Sequence, residues 1–175
     1  FKMPVWTPGS YLVREYGKSV EQLEASCISD GKEMQVQKMN KNTWRIDLDK
    51  RKGIMIRYRV YAFDGYIRMS YLDEDQGMIM ANTLLMYVDD LREQSSILTL
   101  DYPQRWTSIS TSLSKVQDKE NAYYVPNYDI LVDSPIEIGN HQIIEFTAAG
   151  VPHEVAMVGS AKFDKDRLVR DLTKM

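Results

Sequence analysis

The sequence has few of the residues that build metal centres and disulfides. Among its 175 residues there is one cysteine, Cys27, and there are two histidines, His141 and His153. A single cysteine cannot form an intrachain disulfide or, by itself, a zinc cluster, so packing must stabilise the fold. Hydrolytic and metal sites depend on histidine, cysteine or clustered carboxylates, so the chain offers few candidates for such a site.

Long apolar runs and an excess of positive charge are also absent from the sequence. The longest nearly apolar stretch, residues 78–88, is interrupted by Asn82 and Thr83 and is far shorter than the roughly 20 residues of a spanning helix. The 22 Lys and Arg residues face 25 Asp and Glu residues, which gives a net charge of -3. These features predict that the chain has neither a membrane segment nor a nucleic-acid partner.

The composition is that of an ordinary folded protein. Hydrophobic residues make up 43% of the chain and charged residues 27%, with 9 Gly and 6 Pro, which excludes collagen-like, mucin-like and disordered classes. A chain of this length forms one domain or two small ones. It begins at Phe1 with no basic region before an apolar run, so we expect any targeting segment to lie outside it. The composition indicates no cellular compartment.

Apolar and polar residues alternate over much of the chain, as is typical of strands with one buried face. The alternation is clearest at residues 44–48 and 54–60, which we predict to pair through a polar hairpin loop at residues 49–53. Asp30-Gly31 predicts another hairpin, because this dipeptide readily adopts the positive φ of a two-residue turn. Residues 13–23 fit a short helix or a loop. Further strands are predicted at residues 83–88, 97–100, 107–110, 122–125, 129–132, 142–147 and 155–158.

The clearest helix signal lies at the C-terminal end. Asp164 can cap a helix whose apolar stripe is formed by Leu168, Val169 and Leu172, and no stop signal follows before Met175. We therefore expect residues 161–175 to begin a helix that continues into a further domain. Residues 1–160 are predicted to form a mainly β domain, either an antiparallel β-sandwich or a saddle-like sheet.

Two segments come near metal-binding patterns. Residues 153–157 begin like the zinc-peptidase pattern H-E-x-x-H, but the fifth position is Met157, and the segment is predicted to be a strand. Asp129, Asp133 and Glu137 are four residues apart, but β-branched neighbours and a proline disfavour a helix that would align them. A cation site made by these three carboxylates in a loop stays an open alternative.

Structural roles can explain the candidate nucleophiles and the aromatic residues. Cys27 lies in a strand-like run and is expected to be a buried small residue. Ser10 follows Pro8-Gly9 and is expected to be a turn residue, because the G-x-S-x-G frame of a nucleophile elbow is absent. The tyrosines and tryptophans could stack on sugar rings, although core packing explains most of them.

Blocks of sequence spread over the chain resemble those of the glycyl aminopeptidase family, a group of zinc metallopeptidases. Residues 3–16 (MPVWTPGSYLVREY) look like the opening block of the family, and residues 41–46 (KNTWRI) follow at a suitable distance. Residues 127–139 (NYDILVDSPIEIG) are similar to its D-Y-D-x-L-V-D-S-P-x-E-x-G stretch, and residues 150–155 (GVPHEV) come next. The order of the blocks agrees with that of the family.

The resemblance implies that the chain is the N-terminal β domain of such an enzyme, packed against a thermolysin-like catalytic domain outside this sequence. The zinc ion, its ligands and the catalytic groups would then lie beyond Met175, and this chain alone would be inactive, with no metal site of its own. The resemblance further implies that one or two strands precede Phe1.

The resemblance also suggests residues that touch the peptide substrate. In related zinc aminopeptidases the N-terminal domain supplies an oxygen that recognises the free α-ammonium of the substrate, and block order makes Asn82 the first candidate for this contact and Glu137 the second. Structural roles are the alternatives: an amide that bonds backbone for Asn82 and a surface carboxylate for Glu137.

Two other functions stay open at this stage. One is a free-standing β-sandwich module that binds protein or glycan through exposed aromatic residues. The other is a degenerate peptidase homologue whose partner domain has lost its metal ligands. An uncovered apolar face near residues 139–158 would favour an absent neighbouring domain over a free-standing module.

Overall fold

The computed structural model describes residues 1–7, 9–48, 53–66 and 68–174, and most of its regular structure is β. The helices are α1 (Ala81–Leu84), α2 (Tyr128–Val132) and α3 (Lys165–Leu172), with 3-10 turns at Tyr16–Ser19 and Asp89–Leu91. The strands are β1 (Val20–Cys27), β2 (Glu33–Met34), β3 (Val36–Lys38), β4 (Trp44–Ile46), β5 (Ile54–Val60), β6 (Tyr71–Leu72), β7 (Gly77–Ile79), β8 (Ser96–Thr99), β9 (Ser108–Thr111), β10 (Ser114–Lys115), β11 (Ala122–Val125), β12 (Ile136–Gly139), β13 (Gln142–Ala148) and β14 (Val151–Met157).

Over the described residues the strands form five antiparallel sheets. Three of them are ordered β2-β1-β5, β10-β11-β8 and β6-β7-β12-β9, and two are the pairs β3-β4 and β13-β14. In the four-stranded sheet β12 has a neighbour on each side, so Ile136 lies opposite both Ile79 and Thr111. The prediction of a mainly antiparallel β fold with a C-terminal helix is confirmed, and its sandwich or saddle form stays a prediction.

One predicted hairpin is confirmed and the other is wrong. Residues 28–31 form the loop between β1 and β2, with Gly31 at φ 68°, so the hairpin is confirmed but its loop has four residues instead of the predicted two. The strands at residues 44–46 and 54–60 do not pair with each other: β4 pairs with β3, and β5 pairs with β1. Each strand thereby joins a sheet with partners earlier in the chain, and Trp44 becomes buried. The predicted loop at residues 49–53 falls mostly outside the described residues, which resume at Gly53.

Two segments predicted as strands are helical. Residues 83–84 belong to α1, and residues 129–132 belong to α2 despite their β-branched side chains. The Asn127 side chain accepts a hydrogen bond of 2.9 Å from the backbone N–H of Ile130 and caps α2, and Leu131 is buried in the core. Capping and packing therefore outweigh the β propensity of this segment. Residues 13–23, predicted to form a short helix or a loop, contain the 3-10 turn Tyr16–Ser19 followed by the start of β1.

The buried side chains form two clusters. One cluster, which we call the Ala81 cluster, consists of Ala81, Leu113, Tyr123, Val125 and Leu131. The other, the Met3 cluster, consists of Met3, Tyr16 and Trp44. The segment after α1 joins them, because Leu85 packs against the Ala81 cluster and Met86 against the Met3 cluster. α1 therefore lies between two parts of the core. The burial of Tyr123, Trp44 and Trp106 confirms that these aromatic residues serve packing.

The C-terminal helix begins as the sequence predicts. Asp164 accepts a hydrogen bond of 2.9 Å from the backbone N–H of Arg167, and Leu168, Val169 and Leu172 are half-buried. The helix ends at Leu172, whereas the sequence predicted that it would reach Met175, which lies outside the described residues. None of the helices in the described ranges has both the length and the apolar character needed to cross a membrane.

Candidate functional site

Two distant parts of the sequence meet at a cavity of about 460 Å³ that contains Asn82. Residues 4–7 of the opening block and residues 128–133 at α2 contribute to its wall, together with Tyr87 and Arg92. We call it the Asn82 cavity. The two sequence blocks that carry the family resemblance most specifically therefore face the same space.

Asn82 is the buried polar group of this cavity. Its side chain is only 3% exposed, and its amide makes no hydrogen bond to any part of the chain that the structure describes. The neighbouring Thr83 is bonded to Met80 O and Ser70 Oγ. Because Asn82 lines the cavity and its amide has no partner among the described residues, the amide is available to a group that enters the cavity.

The wall beside Asn82 is fixed by aromatic and ionic contacts. The rings of Tyr87 and Tyr128 have centroids 5.1 Å apart, and Arg92 lies over Tyr87 and pairs with Asp129 at 2.6 Å. The Tyr128 hydroxyl donates a hydrogen bond of 2.7 Å to Leu85 O. Burial, followed by the nearby tyrosines, raises the pKa of Tyr128. This phenol therefore stays protonated at neutral pH and anchors α2 to the segment after α1.

The rim of the cavity carries negative charge. Asp129 is neutralised by Arg92, whereas exposed Asp133 makes no ion pair with any described residue. A free carboxylate at the mouth and an amide oxygen inside favour a cationic group with N–H donors, such as an ammonium.

The opening block is held in shape by its own hydrogen bonds. The Trp6 indole donates to Ser10 O at 2.7 Å, and the backbone N–H of Arg14 donates to Val5 O at 2.6 Å. The backbone N–H of Ser10 donates to Thr7 O, which confirms its predicted turn role. Trp6 remains 51% exposed while it lines the cavity. A rigid aromatic side chain therefore stands at the entrance.

Glu137 lies in a different cavity of about 1090 Å³, between the four-stranded sheet and the β13-β14 hairpin. It is half-buried on β12, opposite Met78 and Ser110, and burial raises the pKa of its carboxyl group. The structure therefore does not bring Asn82 and Glu137 together in one cavity. Asp133 lines both cavities.

A hydrogen-bonded chain of three side chains, which the sequence did not reveal, joins the four-stranded sheet to the C-terminal hairpin. The Ser110 hydroxyl donates to Glu154 Oε1 and lies 2.9 Å from Nε2 of His141. Because Ser110 gives its proton to Glu154, Nε2 of His141 must donate, and Nδ1 carries the lone pair. That Nδ1 atom is buried and has no partner among the residues described. Burial lowers the pKa of His141, and Glu154 partly opposes the shift.

The shifted pKa of His141 predicts a pH dependence of stability. Because folding lowers this pKa below its ordinary value of 6.5, the unfolded chain binds more protons than the folded one as the pH falls through and below 6.5. The free energy of unfolding should fall over that window and be retained in full above it. Urea unfolding between pH 8 and about pH 5 should show this fall, and His141→Gln should flatten it. His153→Gln, at an exposed position, is the matched control. Equal slopes in the wild type and His141→Gln would contradict the assignment.

The other candidate residues from the sequence, Cys27 and His153, make contacts that belong to the fold. Cys27 is buried, with its Sγ 3.1 Å from Ser29 Oγ. His153 lies on β14, as predicted, and stacks on Phe146 with ring centroids 5.1 Å apart. Within the described residues no three His, Cys, Asp or Glu side chains are placed to hold a metal ion. The residues described here therefore do not fit a zinc centre, and they do not form the alternative carboxylate site at Asp129, Asp133 and Glu137.

Comparison with known proteins agrees with the fold and the sequence blocks. No curated protein matches the chain. The crystal structure of an aminopeptidase N family protein from Idiomarina loihiensis is similar over 99% of this chain, with 31% sequence identity and a TM-score of 0.90. The chain spans 30% of the length of that protein. The family model described as the Peptidase M61 N-terminal domain matches residues 1–140, and the chain therefore belongs to the Peptidase M61 N-terminal domain family.

Proposed function

We propose that the chain is the non-catalytic N-terminal domain of a glycyl-aminopeptidase-like zinc metallopeptidase, and that the Asn82 cavity forms part of its peptide-binding cleft. One observation carries this proposal. Asn82 is 3% exposed, its amide has no protein partner in the described residues, and it lines a cavity built from residues 4–7 and 128–133. Those residues belong to the two blocks that most resemble the peptidase family.

The chemistry of the cavity suits the amino end of a peptide. The Asn82 amide oxygen can accept a hydrogen bond from an α-ammonium group, and Asp133 supplies negative charge nearby. Trp6 at the entrance offers an apolar surface to the first side chain of the peptide. Glu137 is the second candidate for the ammonium contact, although burial raises its pKa and weakens its preference for the charged form.

Exposed apolar side chains support an adjoining catalytic domain. Ile143, Val151, Val158 and Phe163 are exposed large hydrophobic residues on or next to the hairpin and α3. They lie in the region where the sequence predicts an uncovered apolar face if a neighbouring domain is absent, although Ile143 and Val151 project from opposite faces of the hairpin. The solved relative is more than three times as long as this chain, since the chain covers 30% of it. We propose that the remaining polypeptide packs near these residues.

Under this proposal, the remaining polypeptide binds the zinc ion. The ion would supply Lewis-acid chemistry there, and the residues of this chain would bind and orient the peptide. The two histidines of the chain are engaged elsewhere: His141 with Ser110, and His153 with Phe146.

The proposal predicts a division of activity between the intact protein and this chain. The intact protein should bind one zinc ion and hydrolyse an aminoacyl p-nitroanilide, and a chelator should remove that activity. The isolated 175-residue chain, with circular dichroism to verify its fold, should bind no zinc stoichiometrically and show no hydrolysis. Chelator-sensitive cleavage by the 175-residue chain would overturn the proposal.

The alternative function is a free-standing β-sandwich module that binds protein or glycan. It is favoured by Trp6 and Tyr124, two aromatic residues that remain about half exposed. Under this alternative, glycan binding to the isolated chain should be saturable and should weaken in Trp6→Ala. Under the peptidase proposal, that variant instead changes the KM for peptides in the intact protein.

A further inference from the structure

Three cationic side chains surround a further cavity of about 620 Å³, which we call the Arg14 cavity. Arg14, Lys18 and Arg68 line it, together with Glu15 and Asp64. The backbone of Arg14 is fixed by its hydrogen bond to Val5 O, and the adjacent Tyr16 is buried in the Met3 cluster. The cavity therefore has a rigid side that carries positive charge.

The charges in this cavity are not balanced by the protein. None of Arg14, Lys18 and Arg68 forms an ion pair with a residue in the described ranges. Glu15 instead pairs with Lys41 at 2.5 Å, and the hydrogen bond from Lys41 is the main reason why the pKa of Glu15 is lowered, with a smaller contribution from Lys18. Asp64 is then the one remaining acidic side chain in the cavity wall for three cations.

One donor in this cluster is both buried and unused. Nε of Arg14 has no hydrogen-bond partner among the described residues, although it is shielded from solvent. A buried donor on a charged group is costly to leave unpaired. The guanidinium group presents its N–H donors in a planar fork that matches the two oxygens of an oxyanion.

We propose that the Arg14 cavity binds a small oxyanion, a carboxylate or a phosphate, with Arg14 as its main ligand and Lys18 and Arg68 as supporting charges. An anion in this place would pair with the Arg14 guanidinium group and would offset the excess of positive charge. This site is separate from the Asn82 cavity and does not depend on the proposed peptidase function.

The site can be tested by NMR on the intact protein with inorganic phosphate and, separately, succinate as probes. The Nε–Hε signal of Arg14 should shift and saturate with at least one probe. The backbone amide signals of Lys18 and Gly65 report binding in the variants. Arg14→Gln and Arg68→Gln should each weaken binding by about tenfold or more, as expected for a lost hydrogen bond or ion pair to a charged ligand.

Arg170→Gln is the matched control, because it removes the same charge from an exposed position on α3 and should change affinity less than about twofold. Saturation by phosphate alone or by succinate alone supports the site and identifies the anion. Arg14→Lys keeps the charge but lacks the planar fork of N–H donors, and it should also bind the anion more weakly than the wild type. It replaces Arg14→Gln in the comparison if that variant does not fold. A lack of saturation with both probes, or an equal loss in Arg170→Gln, would overturn the proposal.

Discussion

Replacing Asn82 by Ala in the intact protein is expected to lower kcat/KM for substrates with a free α-ammonium by about 10- to 100-fold, because a hydrogen bond to a charged group contributes about 1.5–3 kcal/mol. Asn82 is 3% exposed, and its amide has no hydrogen-bond partner in the described residues, so it is free to bind the substrate. Steady-state kinetics with aminoacyl p-nitroanilides measure the effect as a ratio of kcat/KM values.

The same substitution should leave stability almost unchanged, and this combination distinguishes binding from structure. Since the Asn82 amide makes no hydrogen bond within the described chain, its removal should change the free energy of unfolding by less than about 1 kcal/mol. Asn140→Ala is the matched control: that amide oxygen accepts hydrogen bonds from Thr107, and it does not line the Asn82 cavity. Its loss should lower stability with little change in kcat/KM. Unchanged kinetics in Asn82→Ala would end the assignment.

Replacing Ile136 by Ala is expected to lower the free energy of unfolding by roughly 2–5 kcal/mol. Ile136 is fully buried (0% exposed) on β12, one of the two inner strands of the four-stranded sheet. Truncation removes three methyl or methylene groups from contact with both adjacent strands and leaves a cavity that the sheet cannot close. Urea unfolding followed by circular dichroism measures the change.

The control for this loss is Ile97→Ala on β8. Ile97 is 52% exposed, so the same truncation there removes less buried surface and should cost less than about 1 kcal/mol. If the two variants unfold at the same urea concentration, β12 does not have the central role that its pairing indicates.

Local signals in the sequence were sufficient for some elements of the fold. Asp30-Gly31 specifies its hairpin, and Asp164 specifies the start of α3, because the interacting groups lie within a few residues of one another. The partner of β5 could not be predicted in this way, because β5 pairs with β1 across a long stretch of chain. β4 pairs with β3 across only residues 39–43, a shorter connection than the one to β5, so here the alternation pattern singled out the wrong neighbour.

Two local signals at α2 favoured different structures, a helix and a strand. Asn127 is a typical helix-capping residue, and its side chain does cap α2. The β-branched residues after it favoured a strand, but that preference is small compared with the burial of Leu131 in the Ala81 cluster.

The candidate site was predictable in part. Block order pointed to Asn82, and the structure places it in the wall of a cavity, while its contact with substrate stays a prediction. The meeting of residues 4–7 with residues 128–133 depends on the tertiary fold, so no local pattern could predict it. The same is true of the chain from His141 through Ser110 to Glu154, since these side chains come from separate elements.

The most direct test of the substrate assignment is a crystal structure of the intact protein with a slowly hydrolysed peptide analogue. The account predicts that the α-ammonium nitrogen lies in the Asn82 cavity, about 2.7–3.2 Å from Oδ1 of Asn82. An α-ammonium group bound entirely by residues outside this chain, with the Asn82 cavity empty of peptide, would contradict it.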